Sequence, residues 1–174
     1  MSSSPSAQPA TGVARCSRAL EAEAFREACT LFSSGVAVAT VRAQDGTPHG
    51  LTVSSFAAVS IQPPLILICI DLRCPFISHF RQGTHFAVNV LGESQRGVSV
   101  TFAEKSEGRF EGLDWTPGET GAPLLRRCLA ALECRTASII EAGDHAIFVG
   151  EVEHARWEAG RPLVYFNRDY RSLG

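Results

Sequence analysis

Two hydrophobic periods divide the chain. Residues 18–32 carry Leu20, Ala24, Phe25, Ala28, Leu31 and Phe32 at helical spacing, which predicts an amphipathic helix ending at Ser33-Ser34-Gly35. Beyond it the pattern turns strand-like. "VAVATVR" (36–42) and "PHGLTVSSF" (48–56) predict two strands around an Asp45-Gly46 turn, and "AAVSI" (57–61) a third, stopped by Pro63-Pro64. "LILICID" (65–71) is apolar throughout and predicts a central strand covered on both faces. "PFISHFRQ" (75–82) and "SQRGVSVTFA" (94–103) predict short helices on either side of a strand at "HFAVNVL" (85–91). Residues 104–123 are Gly- and Pro-rich and read as a long loop with "RFEGLDW" embedded in it. Two long strands, 128–142 and 145–158, and a short one within "PLVYFNRDYRSL" complete the chain.

Roughly seven strands joined by short turns should be antiparallel. In a domain of this size they favour a closed or partly closed barrel, which removes exposed sheet edges. The regular alternation of strand and long helix that a doubly wound parallel sheet needs is missing.

Composition narrows the function. The chain has 174 residues, 45% hydrophobic and 20% charged, as expected for one globular domain with an ordinary core. A net charge of -2 with no run of Lys or Arg excludes a nucleic-acid partner, which needs basic patches for the phosphates, and argues equally against anionic membrane surfaces. The apolar run Leu65 to Ile70 is far too short to span a bilayer. "MSSSPSAQPATG" lacks the basic start and apolar stretch of a signal peptide, so residues 1–17 read as a flexible tail and 18–174 as the domain. The cysteines at 16, 29, 69, 74, 128 and 134 form no C-x-x-C and read as reduced, buried thiols of a cytoplasmic protein rather than metal ligands.

Neither common phosphate loop is present, nor G-x-S-x-G, nor H-E-x-x-H. A bound phosphate would therefore depend on scattered hydroxyls and backbone N–H groups. Gly50 to Pro64 offers such groups. Thr52 and Ser54 share one face of the strand, with Ser55 on the other face or at a bend. The same pattern also describes a half-exposed strand with a Ser-rich bend.

In their order, "SGVAVATV", "DGTPHGLTVSSFAAVSIQPPLILICID", "HFAVNVL", "RFEGLDW", "GAPLL", "GDHAIFVGEVE" and "PLVYFNRDY" resemble the flavin reductase domain family. Its members are the small components of two-component flavin-dependent monooxygenases, with an FMN-binding split-barrel fold. The resemblance runs from Phe25 to Leu173. It implies an antiparallel split β-barrel and an NAD(P)H:flavin oxidoreductase. It further implies FAD or FMN as flavin, NADH with NADPH left open, an oxygenase or halogenase as recipient of reduced flavin, and a homodimer.

The resemblance also implies a flavin site along Pro48, His49, Gly50, Leu51, Thr52, Ser54 and Ser55, past Cys69, Ile70 and Asp71, and walled by Pro75, Phe76, Asn89 and Thr101. Cys74 falls where members often carry a small hydroxyl residue. His145 and Tyr170 fall on the nicotinamide side. No side chain is needed as nucleophile or base, because hydride passes directly between cofactors. On the residues alone, Asp71 also reads as a charge ending a strand, Asn89 as a buried backbone cap, and His145 as structural. Arg109 reads as an exposed loop salt bridge, with phosphate pairing the other choice. A flavin- or haem-binding module without turnover, on the same barrel, is the alternative function.

Overall fold

The structure, a computed structural model, describes residues 21–104 and 108–173. The expected tail and the start of the expected first helix lie outside the described residues. The elements are α1 (Ala22–Thr30), β1 (Ser34–Gly35), β2 (Ala37–Arg42), β3 (Pro48–Val53), β4 (Ala57–Ile61), β5 (Pro64–Asp71), α2 (Ile77–Gln82), β6 (His85–Val90), α3 (Arg96–Ala103), β7 (Trp115–Pro117), β8 (Pro123–Leu125), β9 (Ala130–Ala142), β10 (His145–Trp157), β11 (Val164–Phe166) and β12 (Asp169–Arg171).

Seven strands form one sheet in the order β3-β2-β6-β9-β10-β5-β4, with antiparallel pairing throughout. Neighbouring strands lie about 4.8 Å apart, so the edges of such a sheet, if flat, would stand roughly 30 Å apart. Those edges are β3 and β4, and only Ser54, Ser55 and Phe56 join them. A linker of that length reaches little more than ~13 Å. The sheet must therefore roll until its edges approach. They do not pair with each other, which leaves the barrel split at that seam.

The barrel fills with one face of each strand. Ile66, Ile68 and Ile70 of β5 meet Phe148 of β10, with Phe80 of α2 and Phe86 of β6 packed between them. Gly150 leaves room for that packing, since a Cβ there would lie 2.6 Å from the Phe86 ring. A second cluster, behind α3, gathers Val36, Val38, Leu91, Phe102, Leu125 and Leu163.

Four expectations change. β5 is not central: it is next to the edge strand β4, and its residues alternate between buried and half-exposed. Its continuous apolar run thus serves two different faces, only one of them inside the barrel. The 104–123 segment is not all loop, because β7 and β8 pair within and just beyond it. Additional short strands bring the total above seven, with β1, β11 and β12 forming a small separate sheet. Finally, α1 has the amphipathic pattern but buries no residue, and Phe25 is 55% exposed.

Candidate functional site

The serine-rich stretch is the seam itself, and its hydroxyls have separate tasks. Thr52 Oγ1 donates to the carbonyl of Ser99 in α3 at 2.6 Å. Ser55 Oγ accepts from the Cys69 N–H at 2.9 Å and donates to the Cys69 carbonyl at 3.1 Å. The first bond holds α3 against β3; the second stitches the β3–β4 bend to β5. Ser54 is exposed and lines a different cleft, with Arg26, Thr30, Ser34 and Arg168.

A groove runs along β3, flanked by the Asp71–Phe76 turn, the end of α3 and the 108–111 turn. One part, about 150 Å³, is lined by Leu51, Thr52, Asp71, Arg73, Cys74, Pro75, Phe76, Phe102, Ala103 and Arg109. The adjoining part, about 380 Å³, is lined by Thr47, Pro48, His49, Gly50, Phe76, Gly108, Arg109, Phe110 and Glu111. Phe76 and Arg109 belong to both.

Gly50 brings α3 this close, because a Cβ would fall 2.8 Å from Cε1 of Phe102. Arg109 then locks the contact. Its Nη1 donates to the carbonyls of Gly50 and Phe102, each at 2.8 Å, and its guanidinium carbon lies 4.8 Å from the Phe76 ring centre. Arg109 is 7% exposed, so the exposed position expected from the sequence is not the one it takes. It is a buried cation tying β3 to α3, and burial lowers its pKa from the ordinary arginine value.

At the turn after β5, Asp71 accepts from the Arg73 N–H at 2.8 Å and from its guanidinium at 3.1 and 2.7 Å. The side-chain bonds from Arg73, followed by its backbone N–H, hold the Asp71 carboxyl well below the usual carboxylate range. Asp71 stands opposite His145 in the β5–β10 register. His145 Nδ1 lies 2.7 Å from Asp144 Oδ1. An ionised carboxylate only accepts, so Nδ1 is the donor and, in the neutral ring, Nε2 carries the free lone pair.

Eight of the expected flavin residues therefore meet in the groove: Pro48, His49, Gly50, Leu51, Thr52, Asp71, Pro75 and Phe76. Cys69 and Ser55 sit where the bend meets β5, bonded to each other, so the Cys69 backbone expected to face a ligand is already engaged. The Ile70 side chain points into the core at 1% exposure. Thr101 Oγ1 donates within α3 to the Gly97 carbonyl. Asn89 is fully buried and not in the groove wall: its Nδ2 donates to the Val38 carbonyl and Thr40 Oγ1, and its Oδ1 accepts from Leu125 N–H. Tyr170 lies behind α3, its hydroxyl 2.8 Å from Ser99 Oγ.

Sequence reasoning missed Arg73, Phe102, Phe110 and Glu111 as groove residues. A basic residue directly after a strand end, in "IDLRC", was the available signal for Arg73.

The structure is an antiparallel split barrel with an aromatic, cationic groove along β3. The comparisons make this specific. The family model for the flavin reductase like domain matches residues 29–174, and the chain belongs to that family. It is 39% identical, over 84% of its length, to the reductase component of a flavin-dependent trigonelline monooxygenase from Acinetobacter baylyi, of which it covers 47%. It is 40% identical to the FMN reductase (NADH) SmoA of Agrobacterium fabrum, over 81% of this chain and 80% of the relative. The chain thus spans about half the length of some curated relatives and most of others. The solved structure of Streptomyces globisporus NADH:FAD oxidoreductase SgcE6, in complex with NAD and FAD fragments, superposes with TM-score 0.86 at 35% identity, over 92% of this chain and 98% of that one.

Proposed function

We propose that the chain is an NAD(P)H:flavin oxidoreductase that reduces FAD or FMN and hands the reduced flavin to a partner oxygenase or halogenase. The observation that carries this is the groove where Leu51, Thr52, Asp71, Phe76 and Arg109 meet, in a chain of the flavin reductase family. The groove suits the group. Leu51 and Phe76 offer apolar surface to a flat ring, and Arg109, beside the Arg73–Asp71 ion pair, sets positive charge next to it for a phosphate.

A bound flavin supplies the hydride-accepting ring; the protein supplies position and shelter from water. Asp71 is held ionised by Arg73, so it accepts hydrogen bonds rather than giving a proton. No acid–base pair is required of the chain, only orientation of two bound reactants. His145 stands across from Asp71 and presents Nε2 to the carboxamide of a nicotinamide. Tyr170, behind α3, is given no contact with the nicotinamide; it holds α3 through Ser99.

NADH and NADPH oxidation assayed with FAD, FMN and riboflavin in turn tests the reading. Flavin-dependent oxidation, faster with NADH, is expected; no stimulation by any flavin overturns it. For His145→Ala, kcat/KM for NADH should fall roughly three- to a hundredfold with flavin KM little changed, as for one lost hydrogen bond. Unaltered NADH kinetics would remove His145 from the site.

The acting unit is a homodimer. On the sheet face away from the core, Leu65, Leu67 and Cys69 of β5 stand beside Ile147 and Val149 of β10 and Ile140 of β9. Ile140 is 52% exposed, and the apolar side of α1 lies open too. A contiguous apolar face of this kind favours association, and a second copy supplies a matching surface by symmetry. Light scattering should give twice the chain mass; a monomer at micromolar concentration contradicts it. Among the described residues no helix is long and apolar enough to cross a membrane. We place the chain in the reducing cytoplasm, where unpaired thiols such as Cys29, Cys69, Cys74, Cys128 and Cys134 persist.

A further inference from the structure

One wall of the groove is fixed by a clasp of rings between α2 and β3. Phe76 caps the start of α2, and His79 lies three residues on, so both face the same side. The His49 ring of β3 sits against both. It is 4.2 Å from the His79 ring with parallel planes, and 5.1 Å from the Phe76 ring at 26°. Phe80, 1% exposed, anchors the body of α2 in the core. The start of α2 has no such anchor of its own size; there Phe76 faces both parts of the groove and packs against Arg109.

Both histidines are half-buried. Two imidazoles in contact tolerate one proton between them and resist a second, because like charges that close repel strongly away from bulk water. The surrounding charges do not offset a second proton. Asp45 in the β2–β3 turn favours the charged form of His49, but burial first, and then His79, outweigh it and hold the His49 pKa below 6.5. Arg42 of β2 and His85 of β6, the latter against Glu153, line the cleft on the far side of His79. On the groove side His49 shares its cleft with Arg109 and Glu111, which oppose each other in sign. On α2 itself, Arg81 is paired with Glu141.

We infer that His79 is a positioning residue of the flavin groove: stacked on His49, it holds the start of α2, and with it Phe76, against β3, and a second proton on the pair opens this clasp. At neutral pH the rings stay stacked and Phe76 keeps its place in the wall. In acid the two charged rings part, Phe76 leaves the wall, and the grip on flavin weakens. The inference rests on the flavin reductase reading and deepens it, by adding a residue outside the groove that sets the pH range over which flavin is held.

Calorimetric titration of the purified protein with FAD, at about pH 8 and about pH 5.5, tests it without turnover across the range where histidine titrates. FAD serves because the phosphate monoester of FMN itself gains a proton near pH ~6. The wild-type Kd should rise roughly tenfold in acid, the effect of about one pKa unit of repulsion across the pair. His79→Phe keeps a ring on His49 but cannot be charged, so its acid-to-neutral Kd ratio should stay within about twofold of one. His79→Gln, also without charge, should lose the acid weakening too. His79→Ala removes the ring and should weaken FAD at both pH values, which His79→Phe rescues. Thermal melts on the same preparations show that each titration reads folded protein. A wild-type Kd independent of pH, or acid weakening that persists in His79→Phe and His79→Gln, overturns the inference while the flavin reading stands. Failure of the wild type to bind FAD at the higher pH brings down that reading and this inference with it.

Discussion

Arg109→Ala should lose both stability and flavin. The wild-type guanidinium donates to two buried carbonyls, of Gly50 and Phe102, and these hold β3 against α3. Hydrogen bonds to a charged partner are worth roughly 1.5–3 kcal/mol each, so their joint loss should cost on the order of 3 kcal/mol. In a chain of this length that corresponds to a fall in Tm of roughly 10 °C. The flavin effect is separate. Removing the cation facing both parts of the groove should weaken FAD and FMN alike, by tenfold or more, for loss of one charge-assisted phosphate contact. Arg109→Lys keeps the charge but not the planar fork, so it should recover much of the phosphate attraction and little of the stability. Denaturation curves and flavin titrations on the same preparations separate the effects. Wild-type stability in Arg109→Ala would show that the two carbonyl bonds do not hold the groove together.

Asn89→Ala should destabilise without touching turnover. Asn89 bridges three elements: its amide donates to Val38 and Thr40 of β2 and accepts from Leu125 of β8, all from its place on β6. Alanine leaves the Leu125 N–H buried without its acceptor and opens a void at a fully buried position. An orphaned buried donor costs about 1–3 kcal/mol, and the lost amide packing adds to it, for a total of about 2–4 kcal/mol. Asn89→Asp should be worse, because it buries an unpaired charge that cannot donate to Val38. Urea titration measures the loss. NADH and flavin KM values of the folded variant should match wild type; a raised flavin KM would return Asn89 to the binding site.

These two residues mark where sequence reasoning stops. The strand pattern was legible: β2, β3, β4, β6, β9 and β10 all lie within the runs read from alternation and turn residues, and β5 starts one residue before its run, at Pro64. The antiparallel barrel followed, because short turns permit little else. Along β3, the residues from Pro48 to Thr52 were assigned to the groove by the family resemblance; alternation alone puts successive side chains on opposite faces. The family was legible too, through the order of its motifs across most of the chain.

What a side chain bonds to across the fold was not legible. "VNV" does not say that Asn89 braces β2, β6 and β8, and "GRF" does not say that Arg109 turns inward to Gly50. Ser55 and Thr52 look like equivalent hydroxyls in the sequence, yet one stitches the seam to β5 and the other holds α3. Nor does "LILICID" reveal that only its Ile66, Ile68 and Ile70 face the barrel interior. Periodicity reports which residues leave water and which share a face. The partner of each buried polar group depends on residues distant in the chain, 59 positions away for Arg109 and Gly50, and only the rolled sheet brings them together.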